Sequence, residues 1–333
     1  MPQPTAASSL TDLAALHHLL EAGVRALPFA QQAPARLYQP LAYILGLPGK
    51  RLRPTLVLLG YGAYCDRPLS SCLQTALAVE LFHNFTLLHD DIMDNAPTRR
   101  GQPTVHERWD VNTAILSGDA LFAYTHGQIA AEFPEVAAPL LQLYTRIALE
   151  VCEGQMEDME LAARPHASVG EYVAMIEKKT AALLGGALRM GALAAGAPPE
   201  AQAQLEAFGR AAGIGFQLQD DYLDAFADPA KFGKKVGGDI VENKKTYLWL
   251  LAYERASATQ QAELDRWAAF QGPEHEKIAG VLALYHALGV DEATRDFTQA
   301  WFQEAEARLE PLVANPRVAD IRAFMDRLRV REF

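Results

Sequence analysis

Two stretches of the chain place three aspartates at the same spacing inside otherwise apolar sequence. The first stretch reads FHNFTLLHDDIMD and the second reads GFQLQDDYLDAF. The acidic residues of these two DDxxD motifs are Asp90, Asp91, Asp94, Asp220, Asp221 and Asp224. A helix that buries leucines does not tolerate several carboxylates without counter-ions, so both stretches demand a special environment.

The sequence around the motifs predicts helices. Apolar residues recur every three or four positions through most of the chain, and alternating strands with hairpin signals are missing. Breaks rich in Gly and Pro, such as 47–54, 95–104 and 227–239, are spaced as helix connections. We expect one all-α domain over residues 1–333, with about ten or more helices of ordinary length.

Composition excludes several classes of protein. Half of the 333 residues are hydrophobic, and the formal net charge of −11 with no basic stripe argues against a nucleic-acid partner. No apolar run reaches the length of a membrane span, and the N-terminus lacks the features of a secretory signal. Three scattered cysteines indicate neither a disulfide framework nor a zinc site, so a cytoplasmic protein is expected.

The aspartate spacing predicts metal binding. On a helix, Asp90 and Asp94 lie about 40° apart on one face, and so do Asp220 and Asp224. Their neighbours Asp91 and Asp221 lie to the side, where they can adjust the site or reach a second ion. Oxygen ligands favour Mg²⁺, which shares a few carboxylates with substrate phosphates.

Two other interpretations of the motifs compete with metal binding by paired aspartate clusters. A single DDxxD often belongs to a solvated helix face, but two copies, each within an apolar helix, argue against that explanation. The pair His89-Asp90 also occurs in metal-dependent phosphohydrolases, which need further metal-binding histidines. The other eight histidines offer no convincing set, so we expect His89 to be a hydrogen-bonded neighbour of the site.

Basic residues flank both motifs and predict anion binding. Arg gives planar bidentate contacts to phosphate, and Lys gives a compact charge. They fall in GKRLRP, TRRGQPT, EKKTAALLGG and FGKKVGGD, as Lys50, Arg51, Arg53, Arg99, Arg100, Lys178, Lys179, Lys234 and Lys235, with Lys244 and Lys245 following. Lys178 and Lys245 are expected at the surface. His83, seven residues before Asp90, lies almost on the same helical face.

These motifs, in this order, resemble the trans-isoprenyl diphosphate synthases, the polyprenyl synthetase family. The match runs through GKRLRP, ELFHNFTLLHDDIMD, TRRGQPT, LSGDALF, EGQMEDMEL, KKTAALLGG, GFQLQDDYLD and FGKKVGGDIVENKKTYL. The resemblance implies a single helical bundle of the isoprenoid synthase type with a central apolar pocket, and a homodimer. The sequence departs from the family pattern at two places. Pro48 stands where a second Gly is usual, and two lysines, Lys234 and Lys235, correspond to one family lysine.

The resemblance also implies roles for individual residues. Three Mg²⁺ per active site would be bound by Asp90, Asp91, Asp94, Asp220 and Asp224. Isopentenyl diphosphate would be bound by Lys50, Arg53, His83 and Arg100. The allylic diphosphate (dimethylallyl, geranyl or farnesyl) would be held by Arg99, Lys179, Thr180, Gln217, Lys234 and Lys244. Metals and lysines would stabilise the departing diphosphate, so that the allylic cation forms and the isopentenyl double bond attacks it.

Two residues are expected to set the product length. In this family the positions four and five before the first aspartate often form the floor of the pocket, and in this chain they are Thr86 and Phe85. Phe85, with no insertion inside the motif, resembles geranylgeranyl (C20) synthases, and a C15 product comes next. On an ideal helical wheel Thr86 lies nearer the aspartate face, so Phe85 would act from the flank.

Two alternative functions remain open from the sequence. A class I terpene cyclase shares the first acidic motif, but it normally replaces the second and needs no isopentenyl site. A non-catalytic partner subunit of a prenyl synthase would lose acidic motifs, and both are complete in this chain. The sequence therefore favours a prenyltransferase over either alternative.

Overall fold

The computed structural model describes residues 12–227 and 236–330, and sixteen α-helices occur in them. The helices that precede residue 165 are α1 (Leu13–Arg25), α2 (Ala35–Leu45), α3 (Leu52–Tyr64), α4 (Leu73–Met93), α5 (Val105–Arg108), α6 (Val111–Glu132) and α7 (Ala137–Ala163). Those that follow are α8 (Val169–Ile176), α9 (Ala182–Ala194), α10 (Pro199–Phe226), α11 (Gly238–Val241), α12 (Tyr247–Arg255), α13 (Ala258–Ala268), α14 (Glu274–Ala287), α15 (Val290–Leu309) and α16 (Val318–Arg329).

Shorter elements connect some of these helices. Single 3₁₀ turns occur at Pro28–Gln31, Leu69–Cys72, Pro134–Val136 and Glu310–Leu312. A π-helical segment, Glu177–Ala181, joins α8 to α9. Two short strands, β1 (Thr98–Arg99) and β2 (Gln102–Pro103), form an antiparallel hairpin.

Side-chain caps determine where several helices begin. Asp12 accepts a hydrogen bond from the third residue of α1 at 3.0 Å. At the start of α6, Asp110 accepts from the backbone nitrogen of Thr113 at 2.9 Å. α8 begins with a reciprocal capping box between Ser168 and Glu171. Each cap satisfies backbone N–H groups that the first helical turn leaves unpaired.

The described residues form two compact units. Unit 1 falls within Met1–Thr145, Gly186–Glu206 and Leu312–Ile321. In unit 1, α4 is buried almost all round, and its side chains Leu81 and Leu88 belong to the core cluster shared with α2 and α6. A helix that is apolar on every side needs neighbours on every side. The polar end of this core helix carries the first acidic motif.

Unit 2 falls within Arg146–Gly185, Ala207–Pro311 and Arg322–Phe333. One core cluster in this unit joins α8 to α10 and α12 through Tyr172, Leu218 and Leu250. A second cluster joins the last turns of α10 to α11, α12 and α14, with Leu248 and Tyr285 fully buried. The second acidic motif lies on α10 between these two clusters of buried side chains.

The all-α prediction is confirmed, because helices account for nearly all regular structure in the described residues. One hairpin occurs although the sequence lacks alternating strands with hairpin signals. Residues Arg100 and Gly101 both have positive φ, 53° and 74°, and form the two-residue turn between β1 and β2. Two left-handed central residues suit a hairpin whose strands twist in the usual direction. No helix among the described residues is long and apolar enough to cross a membrane. The prediction of one domain over residues 1–333 stays a prediction.

Candidate active site

The first acidic motif lies at the carboxyl end of α4, in unit 1. Asp90 is partly buried, Asp91 is 1% exposed, and Asp94 is exposed and caps the end of the helix. Burial raises the pKa of Asp91, and the guanidinium of Arg99 opposes that rise. Ionised Asp91 therefore depends on its positively charged neighbour.

The β1–β2 hairpin brings Arg99 to the motif. The Nε and Nη2 atoms of Arg99 lie 2.7 and 2.6 Å from Oδ1 of Asp91, and Nη2 lies 3.8 Å from Oδ2 of Asp90. The hairpin is itself tied to the helix end, since the nitrogen of Ala96 donates to the carbonyl of Asp91 at 2.9 Å. Within the described residues, the second oxygen of Asp91 is buried and has no hydrogen-bond partner.

His83 also belongs to α4, and basic side chains from other elements lie near it. Nη1 of Arg53 lies 3.1 Å from Nε2 of His83. Burial lowers the pKa of His83 well below its usual value, and Arg53, Arg100, Arg99 and Arg51 lower it further. His83 is therefore neutral at pH 7. Arg51 and Arg99 are paired with carboxylates, so Arg53 and Arg100 are the guanidinium groups that would favour an anion at this place.

Three predicted substrate-binding residues lie at or beside this group. Arg53 contacts His83 directly. The guanidinium of Arg100 lies against Gly49, and its Nη1 is 3.4 Å from the carbonyl oxygen of Leu47. Lys50 is exposed on the loop that follows Gly49. The predicted isopentenyl diphosphate residues are thus brought together within unit 1.

Arg51 has a structural role that sequence spacing did not reveal. Its side chain is buried, with Nε 2.7 Å from Glu21 and Nη1 2.6 Å from Glu80. Nη2 donates to the carbonyl oxygen of Leu45 at 2.8 Å. The residue adopts a left-handed conformation, with φ 49°, at the start of α3. It anchors the loop that carries Lys50 and is fully occupied in doing so.

Phe85 and Thr86, the predicted product-length residues, differ in their surroundings. Phe85 stacks on Phe122 of α6 at 5.1 Å between ring centroids and contacts the ring of Phe82 at 5.6 Å. The hydroxyl of Thr86 donates to the carbonyl oxygen of His83 within its own helix, at 2.8 Å. Phe85 therefore belongs to an aromatic cluster, whereas the Thr86 hydroxyl is tied to the backbone.

His89 also lies beside this cluster. Its ring contacts Phe85 at 4.7 Å, and Nε2 lies 3.2 Å from the carbonyl oxygen of Ile115. This agrees with the expectation that His89 is a hydrogen-bonded neighbour of the site.

The second acidic motif lies near the end of α10, in unit 2. Asp221 is 5% exposed and accepts hydrogen bonds from the hydroxyl of Tyr172 and from Nε2 of Gln217, the latter at 3.0 Å. Oε1 of Gln217 in turn accepts from the hydroxyl of Thr180 at 3.1 Å. Burial raises the pKa of Asp221 to about 7, against the effect of these hydrogen bonds.

Asp224 lies in a second acidic group of unit 2. It accepts a hydrogen bond from the backbone nitrogen of Asp239 at 3.0 Å, in the first turn of α11. Burial and the nearby charge of Asp239 raise the pKa of Asp224 to about 6. Nζ of Lys244 lies 3.4 Å from Asp239 and 3.1 Å from Glu242, so this predicted substrate-binding lysine is held beside the group.

The π-helical segment carries Lys179 and Thr180. Nζ of Lys179 donates to Asp158 of α7 at 2.6 Å. Gly154 of α7 allows this close packing, because a Cβ there would overlap the backbone of Lys179. A π turn carries side chains at angles that a continuous α-helix does not offer, and such turns are frequent at functional sites.

Lys178 and Lys245 were expected to be solvated surface residues, but both have partners in the protein. Lys178 pairs with Glu157 and Glu153. Lys245 donates to carbonyl oxygens at the end of α7, that of Leu161 at 2.9 Å among them. A lysine in this position satisfies acceptors that the last helical turn leaves unpaired.

The carboxylates fit a divalent cation. Oδ2 of Asp91 is buried without a hydrogen-bond partner in the described residues, and burial, with help from neighbouring carboxylates, raises the pKa values of Asp221 and Asp224. A bound cation would remove both costs. Across the described residues, no three His, Cys, Asp or Glu side chains form a ready-made metal site. Mg²⁺ does not need one, because it usually takes one or two protein carboxylates with waters and substrate phosphates. The assignment of individual ligands stays a prediction.

The match between predicted and observed site residues is incomplete in two ways. Lys234 and Lys235 lie outside the described residues. Tyr172, Asp158 and Asp239 were not predicted, although each contacts a predicted residue. Asp239 had a signal, since it follows two glycines directly after the FGKKV segment. Tyr172 had no such signal, because it is a single tyrosine about fifty positions before Asp221.

Comparisons with known proteins agree with this geometry. The family model for polyprenyl synthetase matches residues 34–285. Geranylgeranyl diphosphate synthase of Methanosarcina mazei is 35% identical over 302 residues, covering 90% of this chain and 91% of its own. Geranylfarnesyl diphosphate synthase of Natronomonas pharaonis is 37% identical over 301 residues, covering 85% and 86%. The crystal structure of geranylgeranyl pyrophosphate synthetase from Pyrococcus horikoshii superposes with a TM-score of 0.89 at 31% identity, covering 97% and 98%.

A family match over most of the chain, together with relatives of this identity and coverage, establishes the class. The chain belongs to the polyprenyl synthetase family, and it has the all-α isoprenoid synthase fold of its structural neighbours.

Proposed function

We propose that this chain is a Mg²⁺-dependent prenyltransferase that joins isopentenyl diphosphate to an allylic diphosphate, head to tail, and makes the C20 product geranylgeranyl diphosphate. The observation that carries the proposal is the group of Arg53 and Arg100 beside neutral His83, with Arg53 3.1 Å from its ring and both guanidiniums lowering its pKa. An enzyme that only ionises one allylic diphosphate has no need of it. A second anionic substrate explains why Arg53 and Arg100 gather around an imidazole that carries no charge.

The residues of the two motifs have complementary tasks in this proposal. Asp90, Asp91, Asp94, Asp220 and Asp224 would hold Mg²⁺, with Asp221 beside them. Bound Mg²⁺ neutralises negative charge on the diphosphate as it leaves. Lys179 and Lys244 are each held by carboxylates at 2.6 and 3.4 Å, which orients their charges before a substrate arrives. Thr180 and Gln217 are similarly oriented by their mutual hydrogen bond.

The names of the relatives support the C20 product, since the Methanosarcina and Pyrococcus proteins are geranylgeranyl synthases. The Natronomonas relative makes a longer chain by its name, so the choice of length rests on this chain's own side chains. Phe85, fixed by contacts to Phe82 and Phe122, is a rigid aromatic residue a little over one turn of helix before Asp90.

Product analysis tests the proposed reaction. Purified protein is incubated with Mg²⁺, labelled isopentenyl diphosphate and dimethylallyl, geranyl or farnesyl diphosphate, and the product length is read by chromatography. We expect elongation that stops at C20 and needs an allylic primer, with EDTA as the control that removes the metal. Failure to extend any primer would exclude the synthase and leave the partner-subunit alternative.

The role of Phe85 is tested by Phe85→Ala. We expect a product at least one isoprene unit longer, because the substitution removes the ring that would stop the growing chain. Tyr38→Leu is the control, because Tyr38 packs on Phe29 and not on the Phe85 cluster. An unchanged C20 product from Phe85→Ala would assign Phe85 to core packing alone.

We also infer a homodimer in the cytoplasm. In unit 1, α6 carries the exposed apolar side chains Val111, Ile115 and Leu116, the first two one turn apart. A contiguous apolar strip of this kind is typical of an interface between subunits. The three cysteines are all free thiols, which suits a reducing compartment. Sedimentation of the purified protein at twice the chain mass is the expected outcome.

A further inference from the structure

A cavity in unit 2 lies on the helix that carries the second acidic motif, but on a different face. Its volume is about 300 Å³, near the lower limit for small-molecule sites. The cavity is lined by residues of α10, α15 and α16, which are Gln219, Tyr222, Leu223, Arg295, Thr298, Gln299, Phe302 and Arg329. None of these lining residues is used by the proposed reaction.

The cavity lies on the opposite side of α10 from the metal-binding aspartates. At 100° per residue, Asp220, Asp221 and Asp224 fall within about 100° of one another on the helical wheel. Gln219 and Tyr222 fall on the other half of the wheel, which places the cavity behind the motif. A ligand bound there would not occupy the positions of the motif carboxylates.

Two residues of the lining each carry a buried polar atom that is unsatisfied. Thr298 is 9% exposed, and its hydroxyl is buried without a hydrogen-bond partner in the described part of the chain. Oε1 of Gln219 is in the same state. The amide of Gln219 cannot be turned around, because its Nε2 already donates to the carbonyl oxygen of Arg329 at 2.8 Å. Buried polar groups without partners are rare and costly, so they call for an explanation.

The charge of the lining is positive. Arg295 and Arg329 both line the cavity, and no acidic residue does. Nη2 of Arg329 is held by Gln299 at 3.0 Å, and its guanidinium lies 5.9 Å from the ring centroid of Phe302. Burial raises the pKa of Tyr222, Arg295 lowers it and Asp291 raises it, so the Arg295 charge and one carboxylate outside the lining both lie near this phenol. Arginine pairs favour oxyanions with planar or tetrahedral oxygen arrays.

We propose that this cavity binds a small phosphate-bearing molecule, with the phosphate held by Arg295 and the Thr298 hydroxyl. Rotation about χ1 lets the Thr298 hydroxyl reach a ligand in the cavity that its side chain lines. A phosphate monoester near its second pKa of about 6 also carries an O–H donor for Oε1 of Gln219, which a carboxylate at neutral pH does not. Phe302 and Leu223 provide an apolar wall for a short organic group.

Calorimetric titration at about pH 6.5 tests the proposal on the full-length protein. EDTA is present throughout, so that metal-dependent diphosphate binding does not contribute. The probes are inorganic phosphate, butyl phosphate and sulfate, which has the same shape as phosphate but little capacity to donate a hydrogen bond at this pH. We expect phosphate or butyl phosphate to bind more tightly than sulfate. Tighter butyl phosphate indicates an organic ligand, and equal affinity indicates free phosphate.

Variants locate the binding. Arg295→Gln is expected to weaken phosphate binding about tenfold or more, and Thr298→Val by about threefold to tenfold. Arg308→Gln is the matched control, because Arg308 lies on the same helix but pairs with Glu304 on the surface. It should leave the affinity unchanged.

A second measurement separates ligand binding from a structural role. Thr298→Val removes an unsatisfied buried hydroxyl, so the ligand-free protein should melt at the same temperature or higher. A lower melting temperature for Thr298→Val, equal affinities for phosphate and sulfate, or affinities that are the same in Arg295→Gln and Arg308→Gln would each overturn the proposal. The titration involves no turnover, so a failure to bind phosphate leaves the proposed prenyltransferase activity untouched. Conversely, a protein that is inactive but binds phosphate as expected contradicts only the prenyltransferase proposal.

Discussion

The two acidic motifs share one spacing but differ in what surrounds their central carboxylate. At the end of α4, buried Asp91 is paired with the guanidinium of Arg99 at 2.6 Å. Near the end of α10, buried Asp221 is bonded to the hydroxyl of Tyr172 and the amide of Gln217, both of which are neutral. The first carboxylate has a counter-ion from the protein itself. Among residues 12–227 and 236–330, the second has only neutral hydrogen-bond donors, and burial raises its pKa to about 7.

This difference indicates how each motif behaves before a metal arrives. A buried carboxylate beside an arginine stays ionised. If the arginine is removed, the buried charge is left without a partner and the folded state is destabilised. A buried carboxylate beside neutral donors exchanges its proton for a cation near pH 7, so its occupancy depends on both pH and metal. In the part of the chain that the structure describes, the same sequence pattern therefore has a positively charged partner at Asp91 and neutral partners at Asp221.

The largest expected effect is common to the two motifs. Asp90→Asn and Asp220→Asn should each reduce kcat by about 10³-fold or more, because each removes a predicted metal ligand on which stabilisation of the leaving diphosphate depends. Rates at saturating Mg²⁺ and substrate measure the loss. Asp119→Asn, an exposed aspartate on α6, is the control and should remain within a few-fold of the unmodified protein. Near-normal turnover in either motif variant would show that its motif is not catalytic.

Removal of Arg99 should expose the dependence of the first motif on its counter-ion. Arg99→Gln is expected to lower the free energy of unfolding by about 2–4 kcal/mol, because it leaves the Asp91 charge buried and unpaired. Urea unfolding in EDTA measures the change. Adding Asp91→Asn to the same protein should restore most of the loss, since no charge is then left without a partner. If the double variant is as unstable as Arg99→Gln, the pair is not what stabilises this end of α4.

The second motif should make stability depend on pH. The pKa of Asp221 is raised from 3.8 to about 7, so the folded protein holds this proton more tightly than the unfolded chain. The contribution of Asp221 to stability is therefore complete below pH 3.8 and is lost as the pH rises through about 7. In EDTA, we expect the melting temperature to fall by several degrees between about pH 5 and pH 8.

Substitution and metal addition identify the group responsible. Asp221→Asn should flatten the pH dependence, though not abolish it, because burial also raises the pKa of Asp224 to about 6. Mg²⁺ should stabilise the unmodified protein more at about pH 8 than at pH 5, where protons compete for the carboxylates. The same slope in Asp221→Asn as in the unmodified protein would assign the effect elsewhere.

The smallest expected effect concerns Tyr172, one of the two neutral hydrogen-bond donors to Asp221. Tyr172→Phe removes one hydrogen bond to Asp221 and should raise the pKa of Asp221 further, because that bond favours the ionised form. We expect the Mg²⁺ concentration for half-maximal activity to increase by about tenfold, as for other groups that orient a metal ligand. Tyr253→Phe, at the surface of the same unit, provides the comparison. An unchanged metal requirement would mean that Gln217 alone orients Asp221.

The sequence alone predicted the helical fold and the residues at each motif, because helical periodicity and the DDxxD spacing are local properties. The resemblance assigned Arg99 and Arg100, adjacent in the chain, to different substrates, but it did not predict the β-hairpin that separates their side chains. Their separation comes from a two-residue turn with positive φ at Arg100 and Gly101, in a segment whose Gly and Pro content predicts only a helix connection.

Other features depend on residues far apart in the chain. The bond from Tyr172 to Asp221 joins positions on α8 and α10, and the burial of Arg51 depends on Glu21 and Glu80 from two other helices. Helical wheels describe one helix at a time, so they cannot show which basic residue is structural and which faces a ligand. Arg51 and Arg53 are two positions apart, yet Arg51 is held by two carboxylates and Arg53 contacts His83.

The π-helical segment Glu177–Ala181 restricts how the chain can change over generations. A π turn holds one residue more than the α-helical path over the same rise. Deleting one of its residues would restore a regular helix over the same path, so α8 and α9 would keep their places while the side chains inside the segment shift by one position. Tyr172, outside the segment, would stay beside Asp221, whereas Lys179 and Thr180 inside it would lose their contacts to Asp158 and Gln217. Point substitutions can accumulate along this helix, whereas a loss of one codon would disrupt several contacts of the site at once.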